Sequence, residues 1–200
     1  NEDKLIDSVG IGSAQLSGKT VFVEYSTTST SAFLPMQTQS GKDGAMLFLT
    51  NGYTGHQGYT ARRVRIRTIG SGNGSIGVIY VGVALQLQQA VYGGVSPIPL
   101  SRVTQYSNSR TESGEWIGRS VKSMGLKGQI KLDKVFEDWY REYFDPFVEA
   151  AIYKPFFYSW RPDKFPGEVA YCWTTGDISP SNNGGGSERV SVSFSVEAHS

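Results

Sequence analysis

Apolar and polar residues alternate along much of this chain with the two-residue period of a strand. Over residues 61–69, Val64 and Ile66 alternate with Arg63, Arg65 and Arg67, so one face is apolar and the other basic. Residues 189–198 set Val190, Val192, Phe194 and Val196 against Ser191, Ser193, Ser195 and Glu197, which predicts a half-buried strand. Residues 6–11 and 45–50 are short apolar runs, and residues 20–25 are rich in β-branched and aromatic side chains. Residues 75–85 are almost continuously apolar, which predicts a strand buried on both faces. The polar stretch 26–44 and the glycine-rich stretch 51–58 read as loops, and residues 70–74 as a hairpin turn.

The second half changes period once. Residues 100–107 and 115–122 read as two strands across a polar turn at 108–114, and residues 126–132 as a third. Then Val135, Phe136, Trp139, Tyr140, Tyr143, Phe144, Phe147 and Ala151 fall at three- and four-residue spacings, with Glu137, Asp138, Arg141 and Glu142 on the other side. That pattern predicts one helix over about 133–152, with Asp133 as its N-cap. Pro146 lacks an amide hydrogen, so a kink or a restart is expected at Asp145-Pro146. Aromatic strands follow at 156–160 and 169–173, and residues 179–187 read as a loop. Gly93-Gly94 and Pro97-Ile98-Pro99 mark a connector. The division expected is a domain over 1–90, a linker over 91–99 and a domain over 100–200.

Composition narrows the function more than the fold. The chain has 200 residues, 24 glycines and 12% aromatic side chains, enough for a packed core in a turn-rich chain. A net charge of +1 argues against specific nucleic-acid binding. No apolar stretch approaches the ~20 residues needed to span a bilayer, so a soluble protein without membrane insertion is expected. The first residues carry no signal-peptide pattern. The single cysteine, Cys172, excludes an intrachain disulfide.

Candidate chemistry is thin. The two histidines are His56, in a glycine-rich loop, and His199, which reads as a frayed end. Neither suits a nucleophile–base pair, and two histidines and one cysteine far apart do not suit zinc. Asp43 and Asp177 read as turn residues, and the acids of the helix as a solvated face. No catalytic residue, cofactor or metal is therefore expected. The basic stripe, Arg62, Arg63, Arg65 and Arg67, reads as a water-facing strand or as a contact for an acidic partner subunit or nucleic acid, and the alternation with Val64 and Ile66 in place of exposed aromatics favours a protein partner. Phe156, Phe157, Tyr158, Trp160, Tyr171 and Trp173 read as core, with Trp160-Arg161 at a strand edge suited to anchoring a subunit contact.

Two stretches carry resemblances. The strand order around "TVFVEYS", "ARRVRIRTIG" and "GSIGVIYVGVAL" resembles the galactose-binding-like, or discoidin-like, jelly roll, here expected to be incomplete at its N-terminus. "GEWIGRSV", "DWYREYFDPFVEAA", "KPFFYSWRPDKFPGEVAYCWTTGDISPSN" and "VSVSFSVEA" resemble structural proteins of tailed-bacteriophage tails, of the distal-tail, tail-tip or tube-associated type. The resemblance implies a mainly β fold: an N-terminal jelly-roll sandwich and a C-terminal β-barrel or sandwich with one helix. It implies a structural subunit of the virion, assembled in the host cytoplasm, whose partners are copies of itself in a ring and other tail proteins. It supplies no catalytic residues. The candidate interface residues are Arg63, Arg65, Arg67, Trp116, Trp160 and Arg161. The alternative is a carbohydrate-binding module in which the jelly roll holds a host-surface glycan.

Overall fold

β-branched and aromatic residues crowd into strands here, and the fold is mainly β, with antiparallel sheets and one helical stretch. A computed structural model describes residues 3–28, 32–50, 58–89, 93–94, 96–184 and 188–199. The N-terminal half runs β1 (Lys4–Ile6), β2 (Ser8–Ala14), β3 (Thr20–Ser26), β4 (Leu34–Ser40), β5 (Gly44–Leu49), β6 (Tyr59–Ala61), β7 (Arg63–Ile69) and β8 (Val78–Gly82). Two three-stranded sheets, ordered β5-β2-β8 and β4-β3-β7, make a sandwich, and β1 pairs with β6. Val9, Ile11 and Phe48 of the first sheet and Val21, Val23 and Met36 of the second share one core. Val64 and Ile66 of β7 pack against it while their arginine neighbours face water, as the alternation predicts.

Three sequence expectations need correction in this half. The polar stretch 26–44 is not all loop, because it contains β4. That strand lies at a sheet edge and sends only Met36 into the core, so polar Gln37, Thr38 and Gln39 suit it. The apolar run 75–85 is not buried on both faces. Only Val78–Gly82 is a strand, it lies at the other sheet's edge, and Ile79, Tyr80, Val81 and Val83 are exposed. Residues 70–74 do not close a hairpin, since β7 pairs with β3 and β8 with β2. This loop passes between sheets and is pinned by the buried Lys19, whose ammonium donates to the carbonyls of Ser71 at 2.7 Å and Gly72 at 2.6 Å.

The C-terminal half adds β9 (Arg102–Arg110), β10 (Trp116–Phe136), β11 (Phe156–Ser159), β12 (Val169–Thr174), β13 (Pro180–Asn182) and β14 (Arg189–His199). Their sheet is ordered β11-β12-β14-β10-β9, with β13 also on β14. The end strands β9 and β11 do not pair with each other, so the sheet is open. The strands expected at 115–122 and 126–132 are one, β10, which starts at Trp116 and runs on to Phe136 through a bulge between Leu132 and Val135, where Lys134 takes a φ of 56°. Asp133 is therefore in the bulge, 3.6 Å from the Lys131 ammonium, and is not a helix cap. Instead, the Phe136 amide donates to Gln88 Oε1 at 2.8 Å and the Glu137 amide to the Glu188 carbonyl at 3.0 Å.

The helical stretch comprises α1 (Glu137–Trp139), a π-helical turn (Tyr140–Phe144) and α2 (Asp145–Ala151). Pro146 sits in the first turn of α2, where its missing amide hydrogen costs nothing. The restart expected there is made by the wide turn, in which the Asp145 amide reaches back to the Tyr140 carbonyl. Tyr140, Phe144 and Ala151 face a core built with Ile130, Leu132, Val192 and Phe194 of the sheet. Leu85 and Leu87 pack against this core, and Ile98 is buried in it, so the chain passes between the two cores close to Ala84. Residues 179–187 include the short β13, and residues 185–187 lie outside the described residues.

The two halves touch. Gly10 of β2 lies under the Phe157 ring of β11, so close that a Cβ there would fall 2.4 Å from Cδ2. The Lys42 ammonium donates to the Gly167 carbonyl at 2.5 Å, and loss of water around it pulls its pKa below the ordinary lysine value. No helix among the described residues is long and apolar enough to cross a membrane.

Candidate assembly surfaces

The basic stripe of β7 is a closed network. Arg65 Nε donates to Glu24 Oε2 at 2.6 Å, and Arg67 reaches Glu24 Oε1 at 3.2 Å from the same strand face. Arg65 lies 4.1 Å over the Phe33 ring and Arg67 4.3 Å over Phe22. Arg63 is exposed at the end of the row. Burial works to raise the Glu24 carboxyl, but the hydrogen bonds and charges of both arginines outweigh it and hold the group below its ordinary 4.5. A depressed carboxyl stabilises the fold above its unfolded value and loses that contribution as pH falls through the folded value. Glu24→Gln is expected to cost about 1–2 kcal/mol at neutral pH and to flatten the acid limb below pH 4.5. Urea midpoints between pH 3 and 6 test this, and parallel acid limbs in the two proteins would contradict it.

Trp160 and Arg161 follow β11. The indole amine donates to Glu168 Oε2 at 2.5 Å, its ring stacks on Phe165 with centroids 6.1 Å apart, and Arg161 covers the ring at 4.8 Å. The pair is thus built into the loop before β12. The remaining aromatic residues are half-buried rather than fully enclosed. Phe156 and Tyr158 pack on the C-terminal core, Phe157 and Tyr171 lie 4.9 Å apart beside β2, and Trp173 lies 5.4 Å from His199. His199 is not frayed but closes β14 opposite Tyr171. His56 lies outside the described residues. Asp43 accepts the Ser17 amide at 3.0 Å, as a turn residue should.

A cleft of about 890 Å³ opens between the halves. Leu47, Leu49 and Tyr80 line one wall, and Phe147, Phe157 and Trp160 the other. Charged side chains line it as well, among them Asp7, Lys154, Arg161, Asp163 and Lys164. Burial pushes the Cys172 thiol up to about 12, so it remains protonated at neutral pH. No group of three or more His, Cys, Asp or Glu is placed to hold a metal ion among the described residues.

The most distinctive surface is one that the sequence did not reveal as a surface. β10 is 21 residues long, yet only its second part, from Leu126, pairs with β14. From Trp116 to Gly125 it pairs with β9 alone, so β9 and β10 leave the body as a two-stranded ribbon. Its register sets Tyr106 opposite Val121, Asn108 opposite Arg119, Arg110 opposite Trp116 and Thr104 opposite Met124. Strand alternation places all of these on one face, leaving Gln105, Ser107, Ser109, Ser120 and Ser123, with exposed Val103 at the root, on the other, while exposed Ile117 lies in the register slip. Arg119 confirms the grouping, since it lies 4.4 Å over Tyr106 and 5.3 Å over Trp116 and donates to Asn108 Oδ1 at 2.9 Å. The apolar members of this face are open to water, with Trp116 at 53% and Met124 at 76% exposure. A two-stranded ribbon is marginal in water by itself, and large exposed apolar patches mark contact sites. Trp116, a candidate interface residue, thus joins Tyr106, Val121 and Met124 on one sticky face, whereas Arg65, Arg67, Trp160 and Arg161 are committed to contacts within the chain. A second exposed patch, Ile79, Tyr80, Val81 and Val83, lies along the open edge of β8.

No family model, no curated protein and no solved structure matches this chain.

Proposed function

We propose that the chain is a structural subunit that assembles with copies of itself, and that its place is the bacteriophage tail suggested by the resemblance of its second half to tail proteins. The observation that carries the assembly reading is the ribbon, whose apolar face has nothing to cover it among the described residues. Polar groups tuned for catalysis have no part in this reading, and no cofactor enters it. The expected neighbours are copies in a ring, joined head to tail, and other tail proteins.

Replacing Trp116, Val121 and Met124 together by Ser is expected to abolish self-association. It should shift the unfolding free energy by no more than about 1 kcal/mol, because exposed side chains contribute little to folding. Light scattering coupled to size-exclusion chromatography reads the first quantity and urea unfolding the second. A wild-type chain that stays monomeric at high concentration would contradict the assembly reading. The tail assignment is tested separately by cryo-electron microscopy of purified tails, where absence of the chain from the particle would overturn it.

A further inference from the structure

We infer that the apolar, basic face of the ribbon docks along the acidic outer face of the helical stretch of a second copy of this chain. This rests on the self-assembly reading above and names the surface that receives the ribbon.

Both partners are visible on one molecule. On the helical stretch, Asp138, Glu142, Asp145 and Glu149 are exposed while Tyr140, Phe144 and Ala151 are buried. The only base of residues 137–151, Arg141, is paired with Glu137. No cation of the chain lies within ion-pair distance of the four acids among the described residues. Exposed apolar side chains accompany them: Tyr143 on the stretch, and Ile152 and Tyr153 just beyond it. The ribbon is the complement, with exposed Arg102, Arg110 and Arg119 on its apolar face and exposed Lys122 at the bulge beside Val121. None of these four has a carboxylate partner among the described residues. The opposite charges favour docking and penalise like surfaces meeting.

The dimensions also agree. The ribbon from Gly125 to Trp116 is about 30 Å long at ~3.4 Å per residue. Residues 137–151 span about 22 Å at ~1.5 Å per residue. The two surfaces lie at opposite ends of β10, with its paired segment from Leu126 to Phe136 between them. A chain therefore presents the ribbon at one end and the acceptor at the other, as a head-to-tail contact requires, and that contact repeats into a ring or a filament.

The test uses charge reversal on the full chain. One variant carries Arg110→Glu and Lys122→Glu, and the other Asp138→Lys and Glu142→Lys. Each alone turns two of the four charges on one surface to the sign of the surface it must meet. Each is expected to weaken self-association at least tenfold in sedimentation velocity at low salt, with circular dichroism unchanged. Mixed one to one, the two variants can alternate, since every ribbon then meets an opposite helix, so association should recover. The chain carrying all four reversals should associate as well. Recovery in neither case, with all proteins folded, overturns the inference. Assembly that needs Trp116, Val121 and Met124 but ignores the helix charges also overturns it, while leaving the self-assembly reading intact. A wild-type monomer removes both.

Discussion

Phe144→Ala is expected to cost about 3–5 kcal/mol, the largest effect of any single truncation considered. Phe144 is 1% exposed, and four rings surround it: Tyr140 and Phe147 at 5.3 Å, Trp139 at 5.8 Å and Phe194 of β14 at 6.3 Å. It closes the π-helical turn and begins the packing of α2, so the cavity left by alanine is walled by both helix and sheet. Rigid walls collapse poorly, which places the cost toward the upper end of that range. The neighbouring Tyr143→Ala is the control, because that ring is exposed and should cost below about 1 kcal/mol. Guanidinium unfolding followed by tryptophan fluorescence measures both. Equal midpoints for the two variants would mean that the helix does not hold the C-terminal core together.

The second large effect is expected at Gly10. A Cβ built there falls 2.4, 2.6 and 2.8 Å from three atoms of the Phe157 ring, well inside contact distance. Phe157 is also packed against Tyr171, with ring centroids 4.9 Å apart, which limits where it can move. Gly10→Val should therefore displace Phe157 and loosen the contact between β2 and β11, costing about 2–3 kcal/mol by overpacking. Gly118→Ala on the ribbon has open space around it and serves as the neutral comparison. The sharper readout is a double-mutant cycle. Removing the ring with Phe157→Ala should make Gly10→Val nearly harmless, a coupling of about 1–2 kcal/mol. Additive costs would show that the clash is absorbed elsewhere.

Parts of this molecule are legible in its sequence because burial and alternation coincide there. β7 and β14 each have one apolar face against one core, and the helical period carried by Trp139, Tyr140, Phe144, Phe147 and Ala151 falls on the helical stretch, although Val135 and Phe136, which fit the same period, belong to β10. β4 is illegible for the opposite reason, since an edge strand that buries Met36 alone leaves no alternation to detect. β8 misleads because its apolar run reads as doubly buried, whereas exposure is decided by what packs beside it. The ribbon was hidden by its own irregularities. The register slips between Val121 and Ser123 and between Trp116 and Gly118, so Trp116, Val121 and Met124 share a face without sharing a sequence period. The sequence could nominate Trp116 but not its companions. Likewise, the arginines of β7 looked available until Glu24 was placed between them.

The continuity of β10 has a mechanical consequence. Any load applied to the protruding arm passes along unbroken backbone into the body, where the ladder from Leu126 to Phe136 lies against β14. Tension directed along that strand strains its cross-strand hydrogen bonds in shear, all together, and does not unzip them singly. A tug by a neighbouring copy is thus shared along the paired segment of that sheet, so a joint made through this arm is anchored at its root.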